Sequence, residues 1–510
     1  MEIWGDSAHT AARISARISA RSQPGESPQT RSMDGTTAPP PRAGPASVMD
    51  ATGVFMVAVT ILAFFLPLLL YFPPLPPSQR DALLETHVQV GVAPANSALR
   101  SANRKRADAA RNAEKESKSS SSSSNTTTTT TTTTTIRSLW IYPIKSCRGI
   151  ELRQSKVLAT GLEFDRLYTL AQRKSSTSSA SSTADSQDGA PDWHFITQRQ
   201  FPLLATVSVD LFVPDVVKAR GNPSSASAQS FLLVRFPWRA PGLRGAAAWL
   251  AAKLTRGWSA QPEMEFVLPA AFPENPEDVA ARGYRRATVA IWKDVVEALD
   301  MSSELPPELG QYLGVPGPLA LLRVDPARLR TVRRCAPTAT DAGYQPVTGF
   351  QDAYPLHMLN LTSVRDFEAK IEKDDDFREL DPRRFRANII VDGGETPYDE
   401  ETWKKIRFLP APGSTRAPST FHVSCRTVRC KLPNVDPDTG LRHKAEPDRA
   451  LRKYREVDEG APHKGCMGMQ MTPLFPGTSS STKAEDLESW VEVGMPVEVL
   501  ERGDHRYIPQ

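Results

Sequence analysis

The chain has 510 residues, 40% of them hydrophobic and 24% charged, with a formal net charge of +4. That length exceeds one ordinary domain and sets an expectation of two or three units, and the near balance of charge gives no global case for nucleic-acid binding. Five cysteines (Cys147, Cys335, Cys425, Cys430 and Cys466) are too few, too dispersed and odd in number for a secreted disulfide framework, so a reducing compartment is expected.

Residues 1–50 are rich in Ser, Pro, Arg and Gly and poor in large apolar side chains, which predicts a disordered tail. Within it, the acid-free Ala-Arg-Ile-Ser repeat of Ala11–Arg21 suits either a mitochondrial transit peptide or a plain basic tail. Composition then changes sharply, with no charged residue between Asp50 and Arg80. The 19 residues Val54–Phe72 are almost wholly apolar, and as a helix they span about 28 Å, close to a bilayer core. A single transmembrane helix is therefore expected over 51–73, with Pro67 inside it and the Pro73–Pro77 run as its stop. Residues 74–135 read as a disordered linker, because the tracts Ser119–Ser124 and Thr126–Thr135 cannot bury enough apolar surface to fold.

Folded sequence begins at Ile136. Ile136–Ile144 is β-rich, and Glu151–Ala171 alternates like paired strands around a Gly-containing turn. Ser175–Gly189 reads as a polar surface loop, followed by strand candidates in His194–Gln200, Ala205–Val213 and Ser230–Phe236. Trp249 and Leu254 lie in a helical stretch. Ala287–Asp300 reads as a strand and then a short helix, and Ser302–Gly314 as a helix with a Gly stop. Leu319–Val324 ends a first unit, expected over 136–325. A second unit is expected over 336–503. In it Leu361–Ile371 is an amphipathic helix opened by a Thr/Ser cap, and Asp448–Glu456 is a short helix. Arg384–Gly393, Thr420–Cys430 and Met495–Glu501 are strands. Many short strands with few helices predict an α+β, β-rich chain of small barrels rather than a βαβ sheet.

The segment Arg429-Cys430-Lys-Leu-Pro-Asn-Val-Asp436-Pro-Asp-Thr439-Gly440 carries the strongest local signal. Its Asp-Pro-Asp-Thr-Gly end is turn chemistry, so Cys430 is expected where a strand gives way to a tight loop. Arg426 and Arg429 place that thiol in positive potential, which favours thiolate, the form that ligates a soft metal. Taken alone, a lone Cys is more often a buried small residue. Cys147, Cys425 and Cys466 keep that structural reading, although Cys425 is a second thiol close to Cys430. His422, His443 and His463 lie near this segment without a zinc spacing. No GxGxxG dinucleotide unit is present, so electrons have to come from partner proteins.

Other motifs occur in a fixed order: Tyr142-Pro-Ile-Lys145-Ser146-Cys147-Arg-Gly149, Gly161-Leu-Glu-Phe-Asp165-Arg166, Phe195-Ile-Thr-Gln-Arg199-Gln-Phe-Pro202 and Ile291-Trp292. Next come Asp352-Ala-Tyr-Pro355, Ser363, Phe385-Arg386-Ala-Asn388, Trp403-Lys-Lys-Ile, the Cys430 segment, Glu446-Pro447 and Tyr454-Arg455. Over residues 136–503 this order resembles the MOSC family, closest to its mitochondrial amidoxime-reducing branch and fungal relatives. The resemblance implies an N-terminal MOSC-type β-barrel domain, then a MOSC β-barrel domain, and a pyranopterin molybdenum cofactor. By position, Cys430 is the expected metal ligand and catalytic residue. Lys145, Ser146 and Arg166 suit the cofactor's phosphate as point charge, hydroxyl and fork. Arg386, Asn388, Arg429 and, more weakly, Ser363 complete the expected cofactor-binding set.

The resemblance further implies reduction of small N-hydroxylated substrates such as amidoximes and hydroxylamines. Electrons would come through cytochrome b5 and NADH-cytochrome b5 reductase. The place implied is the mitochondrial outer membrane, facing the cytosol, held in lipid by the N-terminal helix. Two positions depart from the family pattern: Ala387 replaces the usual Pro of Arg-Pro-Asn, and Val428 stands where the animal reductases have Ser. The alternative function is a non-catalytic MOSC sulfur carrier or cofactor-handling membrane protein. That kind of protein commonly carries a pyridoxal-phosphate desulfurase domain, which is not recognisable here.

Overall fold

The structure is a computed structural model that describes residues 51–71, 78–99, 133–173, 191–219, 229–411, 413–475 and 487–509, with backbone alone at 51, 68–71, 216, 219, 243–244, 247 and 255–256. The expected tail over 1–50, the Pro73–Pro77 stop, most of the homopolymeric tracts and nearly all of the Ser175–Gly189 loop lie outside the described residues. The chain forms two units, Met1–Pro74 and Leu75–Gln510.

In the first unit, Ala51–Tyr71 is one helix with Pro67 inside it. Its Val54, Phe55, Leu62 and Phe64 side chains are exposed. Among the described residues no helix is long and apolar enough to cross a membrane. The expected transmembrane helix is thus corrected to an apolar helix whose spanning is not supported.

The second unit is β-rich, as the pattern of short strands predicts. Arg285–Ile291, Asp294–Asp300, Leu319–Val324, Tyr168–Gln172 and Trp193–Phe195 close into a barrel. Its interior is apolar, with Val289, Ile291, Val296, Ala298 and Leu322 fully or almost fully buried. Each such Val, Leu or Ile contributes about 1.5–3 kcal/mol by leaving water. The expected helix after Ala287 is a strand instead: Asp294–Asp300 turns back on Arg285–Ile291, pairing Ile291 with Asp294. Its buried Val296 and Ala298 flank the exposed Glu297 in a two-residue period, which short helical propensity does not override.

An eight-stranded sheet holds the rest of the site. Its order is Val497–Arg502, Trp403–Phe408, Ser419–Val428, Cys466–Leu474, Leu356–Asn360, Ile389–Asp392, Thr135–Ile141 and Ile150–Leu152. The first strand of the expected N-terminal domain is therefore embedded in the sheet of the second, with Leu139 opposite Ile389. One apolar core, from Ile136 and Leu139 through Leu211 and Leu321 to Met471, runs through both. Within the stretch expected as a linker, His87–Val90 is a strand that pairs antiparallel with Ser208–Pro214. The helix expected from Leu361 is present as Leu361–Glu368, but its cap is Asn360, whose side chain accepts from the Thr362 N–H. Asn at this position serves as well as Thr or Ser.

Candidate cofactor site

Four segments reach one place because each leaves or enters a strand of the shared sheet or the barrel. Tyr142–Cys147 follows Thr135–Ile141, Arg166 precedes Tyr168–Gln172, Arg386–Asn388 precede Ile389–Asp392, and Arg429–Cys430 follow Ser419–Val428. Backbone ties fix the register between them. Trp140 N–H donates to the Asn388 carbonyl at 2.8 Å, Arg166 N–H to the Tyr142 carbonyl at 2.9 Å, and Arg429 N–H to the Gly465 carbonyl at 2.9 Å.

Tyr142 is the hub. Its buried ring has the Arg386 guanidinium 4.1 Å and the Arg166 guanidinium 4.7 Å from its centroid, both cation–π contacts. Arg166 donates to Asp165 Oδ2 at 2.5 Å, to Asn388 Oδ1 at 3.1 Å and to the Arg386 carbonyl at 3.3 Å. Asp165 also accepts from Tyr142 N–H at 2.8 Å, so one buried carboxylate orients two site residues. Asn388 donates to the Trp140 carbonyl at 3.1 Å and is almost fully buried. Its role is to hold Arg166 and the strands. Arg386 donates to the Cys147 carbonyl at 2.8 Å, and Arg429 to the Phe385 carbonyl at 2.9 Å. Lys145 is buried and donates to the Phe350 carbonyl at 2.7 Å and to Asp352 Oδ1 at 2.5 Å. Ser146 is buried beside it, its carbonyl held by Gln198 Nε2 at 2.7 Å. Cys430 is half-buried and free, at the mouth of the strand-to-loop transition as expected. The following turn is built as read, with Asp436 Oδ1 accepting from the Asp438 and Thr439 N–H groups and Gly440 at φ +71°.

Ser363 is not brought to this place. Its hydroxyl donates to Glu400 Oε1 at 2.6 Å and accepts from Tyr398 N–H at 2.8 Å, inside the helix-bearing side of the core. The other candidates converge. Burial pulls the Lys145 ammonium down to about 8 against the pull of Asp352, and lowers Arg386 to about 10. It pushes the Tyr142 hydroxyl up to about 12. These are the marks of cations held out of water without enough counter-charge.

The site fits an anionic group. Arg386 Nη2 and Arg429 Nε are buried and have no protein partner. An unsatisfied buried donor costs about 1–3 kcal/mol, more for a charged group, and an acceptor in the site would recover it. Lys145, Arg166, Arg386 and Arg429 suit phosphate and pterin oxygens, while the Cys430 thiol suits a soft metal. Sequence reasoning quoted Tyr142, Asp165 and Asp352 as motif positions but gave them no role. His357 was missed altogether: it lies under the site, buried, with its imidazole driven well below the ordinary range by burial and by Arg429 and Arg166. No local pattern marked it, because its neighbours in the strand, Leu356, Met358 and Leu359, are apolar.

Two family models match the chain in order: the MOSC N-terminal beta barrel domain over residues 133–237 and the MOSC domain over residues 345–498, together just over half of it. Mitochondrial amidoxime reducing component 2 of Rattus norvegicus is 23% identical over 345 residues, covering 67% of this chain and 77% of that protein. Its counterpart in Homo sapiens is 24% identical over 327 residues, covering 63% and 73%. Molybdenum cofactor sulfurase of Arabidopsis thaliana is 34% identical over 106 residues, which cover 20% of this chain and 12% of that protein. With both domains matched in order over just over half of its length, the chain belongs to the MOSC family.

Proposed function

We propose that the chain is a molybdenum-cofactor-dependent oxidoreductase that reduces N-hydroxylated compounds. One observation carries this reading: Arg166 and Arg386 stack on Tyr142, Lys145 follows it in the same segment and Arg429 adjoins Cys430, with Arg386 Nη2 and Arg429 Nε left without partners. In this reading the cations bind the anionic parts of the cofactor, and Asp165, Asn388 and Phe385 keep their forks aimed. Cys430 holds the metal as thiolate, and Arg429 next to it stabilises that charge. When bound, the cofactor supplies the redox centre at which an N–O bond is reduced, taking up electrons and protons and releasing water. Amidoximes are the favoured substrate class, because relatives matched over 67% and 63% of the chain are named amidoxime reducing components.

Electron delivery by cytochrome b5 and its NADH-dependent reductase is part of the proposal. So is a mitochondrial location, supported by the names of the relatives. Lipid attachment through the Ala51–Tyr71 helix is supported by its exposed apolar side chains. Alkaline carbonate extraction of mitochondria tests it: protein released into the soluble fraction contradicts attachment. The activity is tested by NADH-dependent benzamidoxime reduction with the full chain, cytochrome b5 and its reductase. Turnover is expected and Cys430→Ala should abolish it, whereas normal turnover after that change sinks the ligand assignment. The sulfurase likeness favours a second reading, cofactor handling without reduction. Stoichiometric cofactor with no turnover in the same assay would select it.

A further inference from the structure

Away from the cofactor site, two other thiols come together. Cys425 lies in the Ser419–Val428 strand, fully buried, in a small cluster with Val332 and Tyr354. Cys335, from the Arg333-Arg334-Cys335 connection that precedes the MOSC domain, packs against that cluster beside Tyr507 and is only partly buried. The Cys335 thiol packs against the cluster that holds Cys425 and Tyr354 and donates to the Arg506 carbonyl at 3.5 Å. Both cysteines are free. They come from segments about ninety residues apart, so the fold, not local sequence, makes the pair.

We infer that Cys335 and Cys425 form a second reactive site, a facing thiol pair that a peroxide oxidises to an intramolecular disulfide. The division of labour follows from exposure. Cys335 is reachable from solvent and is the attacking thiol, and Cys425 behind it resolves. Hydrogen bonding from Cys425 outweighs burial and holds the Cys335 thiol below the ordinary thiol range, while the same contact and burial raise Cys425. In the first step the Cys335 thiolate attacks one peroxide oxygen. An S–O bond forms, the O–O bond breaks, and hydroxide leaves, taking a proton to become water. In the second step the Cys425 sulfur loses its proton and attacks Cys335 Sγ. The S–S bond forms and the hydroxyl departs as a second water. Two thiols are thereby oxidised by two electrons and one hydrogen peroxide is reduced. The bond would staple the connection before the MOSC domain to the strand that leads to Cys430.

The test is a peptide map of the full chain after titration with hydrogen peroxide and alkylation without reductant. A Cys335–Cys425 peptide is expected at low peroxide excess, before Cys147 or Cys466 is modified, and a dithiol should reverse it. Without oxidant, Cys335 should alkylate at least about tenfold faster than Cys147, whose buried thiol is pushed up to about 12. In Cys425→Ala, Cys335 should stop at the sulfenic acid and take up dimedone. If that variant fails to fold, the wild-type map still decides. Cys335 recovered as a thiol while other cysteines oxidise, or joined to Cys430 or Cys466, overturns the inference.

Discussion

Ser146, Arg166 and Arg386 adopt φ of +70°, +51° and +54° although none is glycine. Such backbones cost about 1–3 kcal/mol each and persist where surrounding structure enforces them, often at functional sites. The basic site is therefore held in shape at a cost, and that separates binding from stability. Arg386→Gly should leave the ligand-free melting temperature within about 4 °C, since it relieves φ while losing the bond to the Cys147 carbonyl. Pterin retained through purification should fall about tenfold or more. Scanning fluorimetry and pterin fluorescence read the two, and a parallel loss in both would place Arg386 in the scaffold instead. Lys145 gives a pH test. Its charge, held down to about 8 by burial, is present below that pH and lost above it. Cofactor retention should weaken as pH rises from 7 to 9, and Lys145→Arg should flatten the dependence. Chain stability has the opposite sign: a depressed ammonium disfavours folding while charged, so its penalty is relieved between about 8 and 10.5. The cations of this site and Cys430 were legible through motif order, but His357 was not, and Ser363 shows the limit of position alone. A buried hydroxyl is claimed by its nearest carboxylate, and only the packing reveals that Glu400 is there.

At the scale of elements, the short Leu361–Glu368 helix leans on that same carboxylate. Glu400 is almost fully buried and accepts from Ser363 Oγ at 2.6 Å and Asn360 Nδ2 at 3.0 Å, linking the helix cap to the Asp399–Thr402 turn. Burial raises its carboxyl to about 7. A raised carboxyl favours the fold below its unfolded value of 4.5, and that contribution is lost as pH rises through about 7. Over this window the group should change stability by at most about 3 kcal/mol. Glu400→Gln, which mimics the protonated acid, should flatten the slope of unfolding free energy between pH 4.5 and 7 in urea titrations. An unchanged slope would contradict the burial argument. The strands themselves were largely readable, because alternating burial leaves a two-residue period. The Asp294–Asp300 strand was misread since a seven-residue run with two acidic positions and Glu297 fits a helix turn equally well until a partner strand is known.

For the whole molecule, the sequence order of domains hides how they are joined. Thr135–Ile141 opens the first family match yet joins the sheet of the second, and the candidate site residues are split between both. No periodicity reports which distant strand a segment pairs with, so this exchange was not legible, whereas the barrel content was. A fragment of residues 336–510 lacks that strand and exposes Ile389, Ile390 and Val391 along an open edge. It should be insoluble or lack a cooperative melt, while the full chain should melt its MOSC domains in one transition. Two separate transitions in the full chain would show that the shared sheet does not couple them. The most direct measurement is metal and pterin content. Elemental analysis and pterin fluorescence on the purified full chain should give about one molybdenum and one pterin per chain, with molybdenum lost in Cys430→Ala. A wild-type chain free of both, made in cells that synthesise the cofactor, would contradict the assignment of this basic site.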